Sequence, residues 1–349
     1  MRAKASDRSP GAPDARPTVR TAVVWPSRAV VLLLAVAFAA GLRVPGWVQY
    51  LPFAASLVLF GLPHGAVDHL VPARLAGRAA DRRSVLGVVL LYLALSGLCL
   101  ALWFAAPAAA FVLFIGVTVF HWGAGDLHAL VFFGPDDLGR MGRASRALLL
   151  VLRGALPMLV PLLFFPDAYR GVAVDAAGLF GADAAALSGA FSPAFRLAVG
   201  AALAVVAVVF FLRATGDLAR VEMSLLPVAL ETLLLFAFFA VVPPVLAIGL
   251  YFAAWHAPRH ISRLVLLDPV PASSRFARDA APLTGLALAL LAAFYLAVPA
   301  GEGNVGSLLA VYLVLISALT LPHAVLVWYM DARQGLWNHR PAGDLRRVR

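Results

Sequence analysis

Residues 84–105 read SVLGVVLLYLALSGLCLALWFA, an apolar run without a charged side chain. About 20 apolar residues are needed for an α-helix to cross the hydrocarbon core of a bilayer. Further apolar runs of similar length follow, among them 108–132 and 194–213. The strands of a membrane β-barrel would instead alternate apolar and polar residues over about 10 positions. The sequence therefore predicts an all-α fold, a polytopic bundle of transmembrane helices.

The composition of the whole chain supports the same class. Of its 349 residues, 62% are hydrophobic and 13% are charged, whereas about a quarter of the residues in a soluble domain are charged. A formal charge of +10 suggests a nucleic-acid-binding protein, but most of the arginines lie in short loops and the two tails. That placement is typical of topology signals and of contacts with anionic lipid headgroups. We expect the lipid bilayer as a partner and no nucleic acid.

Apolar runs bounded by charge, proline or glycine predict about ten spans, with a range of eight to ten. They lie near 28–42, 46–66, 84–105, 108–132, 147–166, 194–213, 224–241, 243–265, 281–299 and 305–330. Arginines, including Arg146, Arg259 and Arg263, are assigned to every second loop, so the positive-inside rule predicts that both termini are cytoplasmic. We expect a multi-pass protein of the plasma membrane.

The regions outside the spans have their own compositions. Residues 1–26 are predicted to form a disordered basic tail, 27–332 a transmembrane catalytic domain, and 333–349 a basic C-terminal tail. Residues 167–193 are rich in alanine and glycine and are expected to form an amphipathic or irregular external segment.

Six of the eight histidines fall within or at the edges of predicted spans, where polar groups are costly and indicate function by default. They are His64, His69, His121, His256, His260 and His323. A helix cap or a hydrogen bond to a carbonyl explains any single one of them, but explains the group poorly. Four of them, His64, His121, His256 and His323, lie in the cytoplasmic halves of spans that run in one direction. We therefore predict a metal site inside the bundle.

Local spacing adds detail to this prediction. His256 and His260 in WHAPRH are four residues apart, so on a helix they can chelate one ion, although Pro258 leaves the local geometry open. In GLPHGAVDH, Asp68 shares a helix face with His64 and could orient an imidazole through its second nitrogen.

The positions of two further titratable residues relative to the predicted spans suggest their roles. His128 lies nearer to a loop and is predicted to be solvated or interfacial. Glu231 lies about two turns inside a span, so it is either paired with a histidine or an arginine, or functional.

The residue types restrict the metal only in part. The single cysteine, Cys99, cannot form a thiolate cluster, and histidine ligands suit zinc, copper or non-haem iron. A zinc protease would ordinarily carry HExxH, which is absent from the sequence. Burial in the membrane favours a lipophilic substrate.

Four motifs together resemble the Brp/Blh family of membrane β-carotene 15,15'-dioxygenases. They are GLPHGAVDH, FHWGAGD, the stretch from Glu231 to His260 that ends in YFAAWHAPRH, and LPHAVLVWYMD. The resemblance covers about residues 55 to 332. It implies an oxidoreductase that cleaves the central 15,15' double bond of β-carotene with dioxygen and yields two molecules of all-trans-retinal.

The resemblance also implies a cofactor, roles for residues and partners. The cofactor would be Fe²⁺, held by His64, His121, His256 and His260, with no catalytic residue beyond these ligands. Orienting residues would be found among Asp68, His69, Asp126, Glu231 and His323, and contacts to the substrate among Trp122, Tyr251, Phe252 and Trp255. A retinal-binding rhodopsin is an expected acceptor of the product.

Two other functions share some of these features. A membrane transporter or channel with a histidine and acid relay for protons or metal ions would also place histidines in spans, but its polar residues would extend through the whole membrane depth. A non-catalytic carotenoid-binding protein would keep the apolar cavity and tolerate the loss of the histidines.

Overall fold

The computed structural model describes residues 16–134, 136–182, 184–218, 225–268, 272–297 and 305–338, and within these ranges all regular structure is helical. We number eleven helices of this described part in chain order. They are α1 Arg16–Ala39, α2 Gly46–Leu75, α3 Arg82–Ala105, α4 Pro107–Phe133, α5 Arg143–Phe164, α6 Pro166–Gly178, α7 Pro193–Leu218, α8 Leu226–Val241, α9 at 244–266, α10 Ser273–Ala297 and α11 Val305–Arg333.

Eight of these helices are long and apolar enough to cross a membrane, namely all except α6, α8 and α9. Helix α8 is apolar but short, and α9 carries the polar WHAPRH motif. Because α8 and α9 coincide with the predicted spans 224–241 and 243–265, the structure agrees approximately with the prediction of about ten spans. The predicted external segment at 167–193 contains α6 and a 3₁₀ helix at Ala184–Phe191.

Helix α1 begins at Arg16, so residues 16–26, which were predicted to belong to a tail, are helical. The side chains of Val19 and Val24 are buried, and the guanidinium group of Arg20 donates to the carbonyl oxygens of Phe133 and Gly134 at the end of α4. These tertiary contacts, which composition does not reveal, explain why the helix starts early. The remainder of the predicted N-terminal tail lies outside the described residues.

The start of the predicted C-terminal tail packs onto the bundle. Leu336 is fully buried, and the buried Arg146 of α5 donates to the carbonyl oxygens of Leu336, Asn338 and Gly139. The assignment of Arg146 to a loop is therefore wrong, because this residue lies in α5 and its side chain holds the chain end after α11. Residues 339–349 of the predicted tail lie outside the described part.

Helices α4 and α5 approach each other closely through glycine. A Cβ atom added to Gly123 would lie 2.0 Å from the carbonyl oxygen of Leu150, and one added to Gly154 would lie 1.8 Å from that of Val119. Small residues allow helix backbones to approach closely in membranes, where packing and interhelical hydrogen bonds contribute much of the association free energy. This contact fixes α4, which carries His121, against α5.

Proline breaks the regular hydrogen bonding of α11 just before His323. Pro322 has no N–H group and so leaves the carbonyl oxygen of Ala318 without its helical donor. The hydroxyl of Ser96 in α3 donates to that oxygen at 2.9 Å. A neighbouring helix thus satisfies the free backbone group, as the absence of water in a bilayer requires.

Two π-helical turns lie beside histidines, one at Leu57–Gly61 in α2 and one at Phe252–His256 in α9. Such turns occur frequently at functional sites. The two turns also contact each other, since a Cβ atom on Gly61 would lie 2.9 Å from the ring of Phe252. The absence of a side chain at Gly61 allows this contact and brings His64 towards α9.

Candidate metal centre

Five buried imidazoles from four helices meet inside the bundle, and we call them the histidine cluster. They are His64 of α2, His121 of α4, His256 and His260 of α9, and His323 of α11. The ring centroids of His121 and His323 are 4.6 Å apart, those of His64 and His323 are 4.9 Å apart, and those of His260 and His323 are 5.3 Å apart. The four proposed ligands thus lie together, and His323 lies among them.

The two histidines of WHAPRH present their rings to the same side of α9. Their ring planes differ by only 4°, with centroids 6.4 Å apart, despite the π turn and Pro258 between them. The geometry that the sequence left open is therefore compatible with two ligands for one ion.

Hydrogen bonds fix the orientation of two of the imidazoles. Nδ1 of His323 lies 2.6 Å from a carboxylate oxygen of Asp68, and the hydroxyl of Tyr92 in α3 donates to the same oxygen. Nδ1 of His64 donates to the carbonyl oxygens of Gly61 and Phe60 within its own helix. In both rings Nε2 is the nitrogen that remains for a metal, which is the usual arrangement of a ligating histidine.

The nitrogen atoms of the cluster have the spacing and the lack of partners that a cation site requires. One nitrogen from each of His64, His121 and His323 lies within 4.8 Å of the other two. Nε2 of His121 is 3.1 Å from Nε2 of His256, and two nitrogens bound to one metal at about 2.0–2.1 Å lie at about this separation. The buried Nε2 atoms of His260 and His323 have no hydrogen-bond partner among the described residues. The residues therefore fit a metal bound by nitrogen.

Two other histidines lie away from the histidine cluster. His69 is half-buried, and its Nδ1 lies 3.1 Å from the carbonyl oxygen of Ala66 in its own helix. His128 is buried and its ring stacks on Phe132 with centroids 4.3 Å apart, so it is not solvated, and its interfacial depth stays a prediction. It is buried because the start of α1 covers this end of α4.

The aromatic candidates divide into two groups. Trp122 and Phe252 stack on each other, and Phe252 contacts His64 edge-on with centroids 5.4 Å apart. Tyr251 and Trp255 are both fully buried, and the indole N–H of Trp255 donates to Asp126 at 2.8 Å. The first pair borders the histidine cluster directly, whereas Trp255 belongs to a polar network.

That polar network consists of Arg28, Asp126, Arg153, Glu231 and Trp255. Fully buried Arg153 of α5 donates to Asp126 at 2.9 Å and to Glu231 at 2.6 Å. Glu231 also accepts from Nε of Arg28 in α1 at 2.6 Å. Asp126 and Glu231 thus contact an arginine rather than an imidazole, and Asp126 is linked to the histidine cluster through Trp255, the neighbour of His256.

Arg259 and Arg263, which the sequence analysis assigned to a loop, are buried in α9, so that assignment is wrong. Arg259 donates to the carbonyl oxygen of Trp255 at 2.8 Å and lies over its ring at 3.8 Å. Arg263 pairs with Asp331 of α11 at 2.7 Å. These contacts inside the bundle take the place of solvent around both guanidinium groups. They depend on tertiary packing, so the positive-inside rule alone placed both residues in a loop.

Sequence reasoning missed Arg153 and Tyr92. A basic residue inside the apolar run 147–166 was the available signal for Arg153, because a lone charge in a span indicates a buried partner. No signal in the sequence indicated Tyr92, since a tyrosine in an apolar span equally suits the membrane interface.

Comparisons with known proteins agree with this geometry. The family model described as "Beta-carotene 15,15'-dioxygenase" matches residues 55–331, which include all five residues of the histidine cluster. The chain is 40% identical over 334 residues to the "Probable beta-carotene 15,15'-dioxygenase Blh" of Halobacterium salinarum, covering 92% of this chain and 94% of that protein. It is 31% identical over 343 residues to the "Probable beta-carotene 15,15'-dioxygenase Brp" of the same species, covering 89% and 92%.

A shorter match agrees with these relatives. The "Beta-carotene 15,15'-dioxygenase" of uncultured marine bacterium 66A03 is 32% identical over 77 residues, which is 22% of this chain and 28% of that protein. No solved structure matches the chain.

Proposed function

Because this chain belongs to the β-carotene 15,15'-dioxygenase family, we propose that it cleaves the central 15,15' double bond of β-carotene with dioxygen to form two molecules of all-trans-retinal. The observation that carries the proposal is the convergence of five buried imidazoles inside a membrane bundle. The reaction balances without a further reductant. The bond between two carbon atoms breaks, and each carbon receives one oxygen atom of the same dioxygen molecule.

We propose Fe²⁺ as the metal of the histidine cluster. His64, His121, His256 and His260 would hold it, and the unpartnered Nε2 of His323 makes that residue a fifth candidate. A ferrous ion bound there would supply the one-electron chemistry that lets dioxygen react with an alkene. Ligand type also permits zinc or copper, and zinc, which has no redox chemistry, would not supply a reaction with dioxygen.

The remaining residues would orient the ligands and exclude water. Asp68 and Tyr92 hold the ring of His323, and the carbonyl oxygen of Gly61 holds that of His64. Exposure of the five imidazoles does not exceed 8%, so water has little access to reactive oxygen species formed nearby. Trp122 and Phe252 present apolar rings beside the cluster, and these suit contact with a polyene.

We further propose that the enzyme works in the plasma membrane, where both the substrate and the product dissolve in the bilayer. A retinal-binding rhodopsin would be an acceptor for product that leaves into the lipid. These points rest on the apolar character of the eight long helices and on the substrate named for the relatives.

The first test is to express the chain in a bacterial strain that accumulates β-carotene and to analyse extracted pigments by chromatography. We expect β-carotene to be consumed and retinal or retinol to appear. The variant His256→Ala should accumulate in the membrane without converting the pigment. The matched variant His69→Ala, at a histidine outside the cluster, should retain most of the activity. Unchanged β-carotene beside verified, membrane-inserted wild-type protein would contradict the proposed function.

A further inference from the structure

A small cavity borders the histidine cluster, on the side of α9 that carries two buried arginines together with His256 and His260. Its volume is about 10 Å³, and it is lined by Arg259 and Arg263, by His256 and His260 of the histidine cluster, and by Gly125, Asp126 and His128. A volume of this size holds one particle comparable to a water molecule. The cavity is therefore large enough for a single small ligand such as a water molecule or a monatomic ion.

Two guanidinium nitrogens at this cavity lack hydrogen-bond partners. Arg259 is 5% exposed and Arg263 is 3% exposed, yet Nη2 of Arg259 and Nη1 of Arg263 have no partner among the described residues. Arginine stays protonated in proteins, and a buried N–H group without an acceptor costs free energy. The missing acceptor is best supplied from inside the cavity.

The charges around the cavity do not balance. In the polar network, Arg28 and Arg153 are matched by Asp126 and Glu231. Arg259 forms no ion pair with any described carboxylate, so one positive charge is left over. Asp126 accepts from Arg153 on one oxygen and from Trp255 on the other, and among the described residues it forms no ion pair with Arg259.

The other arginine at the cavity is balanced but incompletely satisfied. Arg263 pairs with Asp331 through Nη2 and donates from Nε to Gln334 at 2.8 Å. Its Nη1 takes part in neither of these contacts and has no hydrogen-bond acceptor among the described residues. The cavity thus offers two donors and one unmatched positive charge.

We propose that this cavity binds one small monovalent anion, for which chloride is the abundant example, between Arg259 and Arg263. A single negative charge matches the single unmatched guanidinium, because a buried charge is tolerated when it is paired. The volume excludes polyatomic anions such as gluconate. The bound anion would fix the side chain of Arg259 over Trp255, and through that ring the position of the neighbouring His256.

The test uses purified full-length protein in detergent, with chloride exchanged for gluconate at constant ionic strength. Thermal unfolding is followed by tryptophan fluorescence. We expect the unfolding midpoint to rise saturably with chloride, by about 5 °C at about 150 mM, and bromide to replace chloride. The variant Arg259→Gln should lose this dependence. The matched variant Arg78→Gln, at an exposed arginine paired with Asp81, should keep it.

Two results would overturn the proposal. Equal midpoints of the wild-type protein in chloride and in gluconate would mean that a water molecule fills the cavity. A chloride dependence that persists in Arg259→Gln would place the anion elsewhere. If that variant does not accumulate, anomalous scattering from bromide in wild-type crystals decides the location. A bromide peak in contact with Arg259 supports the site, and bromide peaks only at other positions contradict it.

Discussion

At the scale of single residues, Asp68 links helix α2 to helix α11 through the imidazole of His323. The sequence placed it on one helix face with His64, and the structure pairs it with His323 instead, 255 positions along the chain. The hydroxyl of Tyr92 adds a third helix to the same carboxylate. The carboxylate thus fixes which nitrogen of His323 carries the proton and where the ring points.

The first prediction concerns this carboxylate. In Asp68→Asn, loss of the charged acceptor from the ring of His323 should weaken metal affinity by about 10-fold to 100-fold. The affinity can be measured by titrating purified apoprotein with Fe²⁺ under anaerobic conditions. Tyr92→Phe should have a smaller effect in the same direction. Asp175→Asn, at an exposed position of α6, serves as the control, and equal affinities for all four proteins would contradict the assignment.

The second prediction concerns Arg153. Removing this guanidinium in Arg153→Met leaves the carboxylates of Asp126 and Glu231 buried without their shared partner, so we expect a loss of about 3–5 kcal/mol in the free energy of unfolding. Arg78→Gln breaks only an exposed pair with Asp81 and should change stability by about 1 kcal/mol or less. Unfolding in mixed micelles with increasing denaturant compares the two. A similar loss in both variants would mean that the buried network contributes no more than a surface pair.

At the scale of helices, the contact between α4 and α5 depends on two glycines. Gly123→Ala and Gly154→Ala would each place a methyl group against a backbone carbonyl, where no side-chain movement relieves the overlap. We expect each to reduce stability by about 1–3 kcal/mol. Gly116→Ala on the same helix α4 is the matched control, because a Cβ atom there meets nothing within 4 Å. Thermal unfolding of the three variants measures the difference. Equal unfolding midpoints would contradict the prediction that the close backbone contact between α4 and α5 stabilises the protein.

Sequence patterns predicted the positions of the helices better than their irregularities. Long apolar runs defined α3, α4 and α7 to within a few residues, because the bilayer thickness alone sets such lengths. The π turns in α2 and α9 and the early start of α1 arise from contacts between distant segments, as between Gly61 and Phe252.

Contacts between distant segments also limited the prediction of the site. Four of the five clustered histidines were predicted as ligands from motifs and resemblance. The fifth, His323, was placed near the metal by the direction of its span, and the resemblance put it only among the orienting residues. Pairings such as Arg153 with Glu231 depend on how the helices pack, which spacing along one helix does not encode.

At the scale of the whole molecule, the orientation in the membrane remains a prediction that the chain itself makes easy to test. Its single cysteine, Cys99, is buried, so background labelling by a membrane-impermeant thiol reagent should be low. Ser188→Cys lies in the segment predicted to be external and should react in intact cells. Arg78→Cys lies in a loop predicted to be cytoplasmic and should react only after the cells are permeabilised. The reverse pattern would contradict the positive-inside assignment.

The separation of the five histidines along the chain has a consequence for biogenesis. His64 is synthesised early and His323 almost last, and the two rings meet only when α2 and α11 are both inserted. A nascent chain that has emerged only as far as α9 lacks His323 and its pairing with Asp68. A metal site in which His323 is the fifth ligand should therefore be complete only after α11 has inserted.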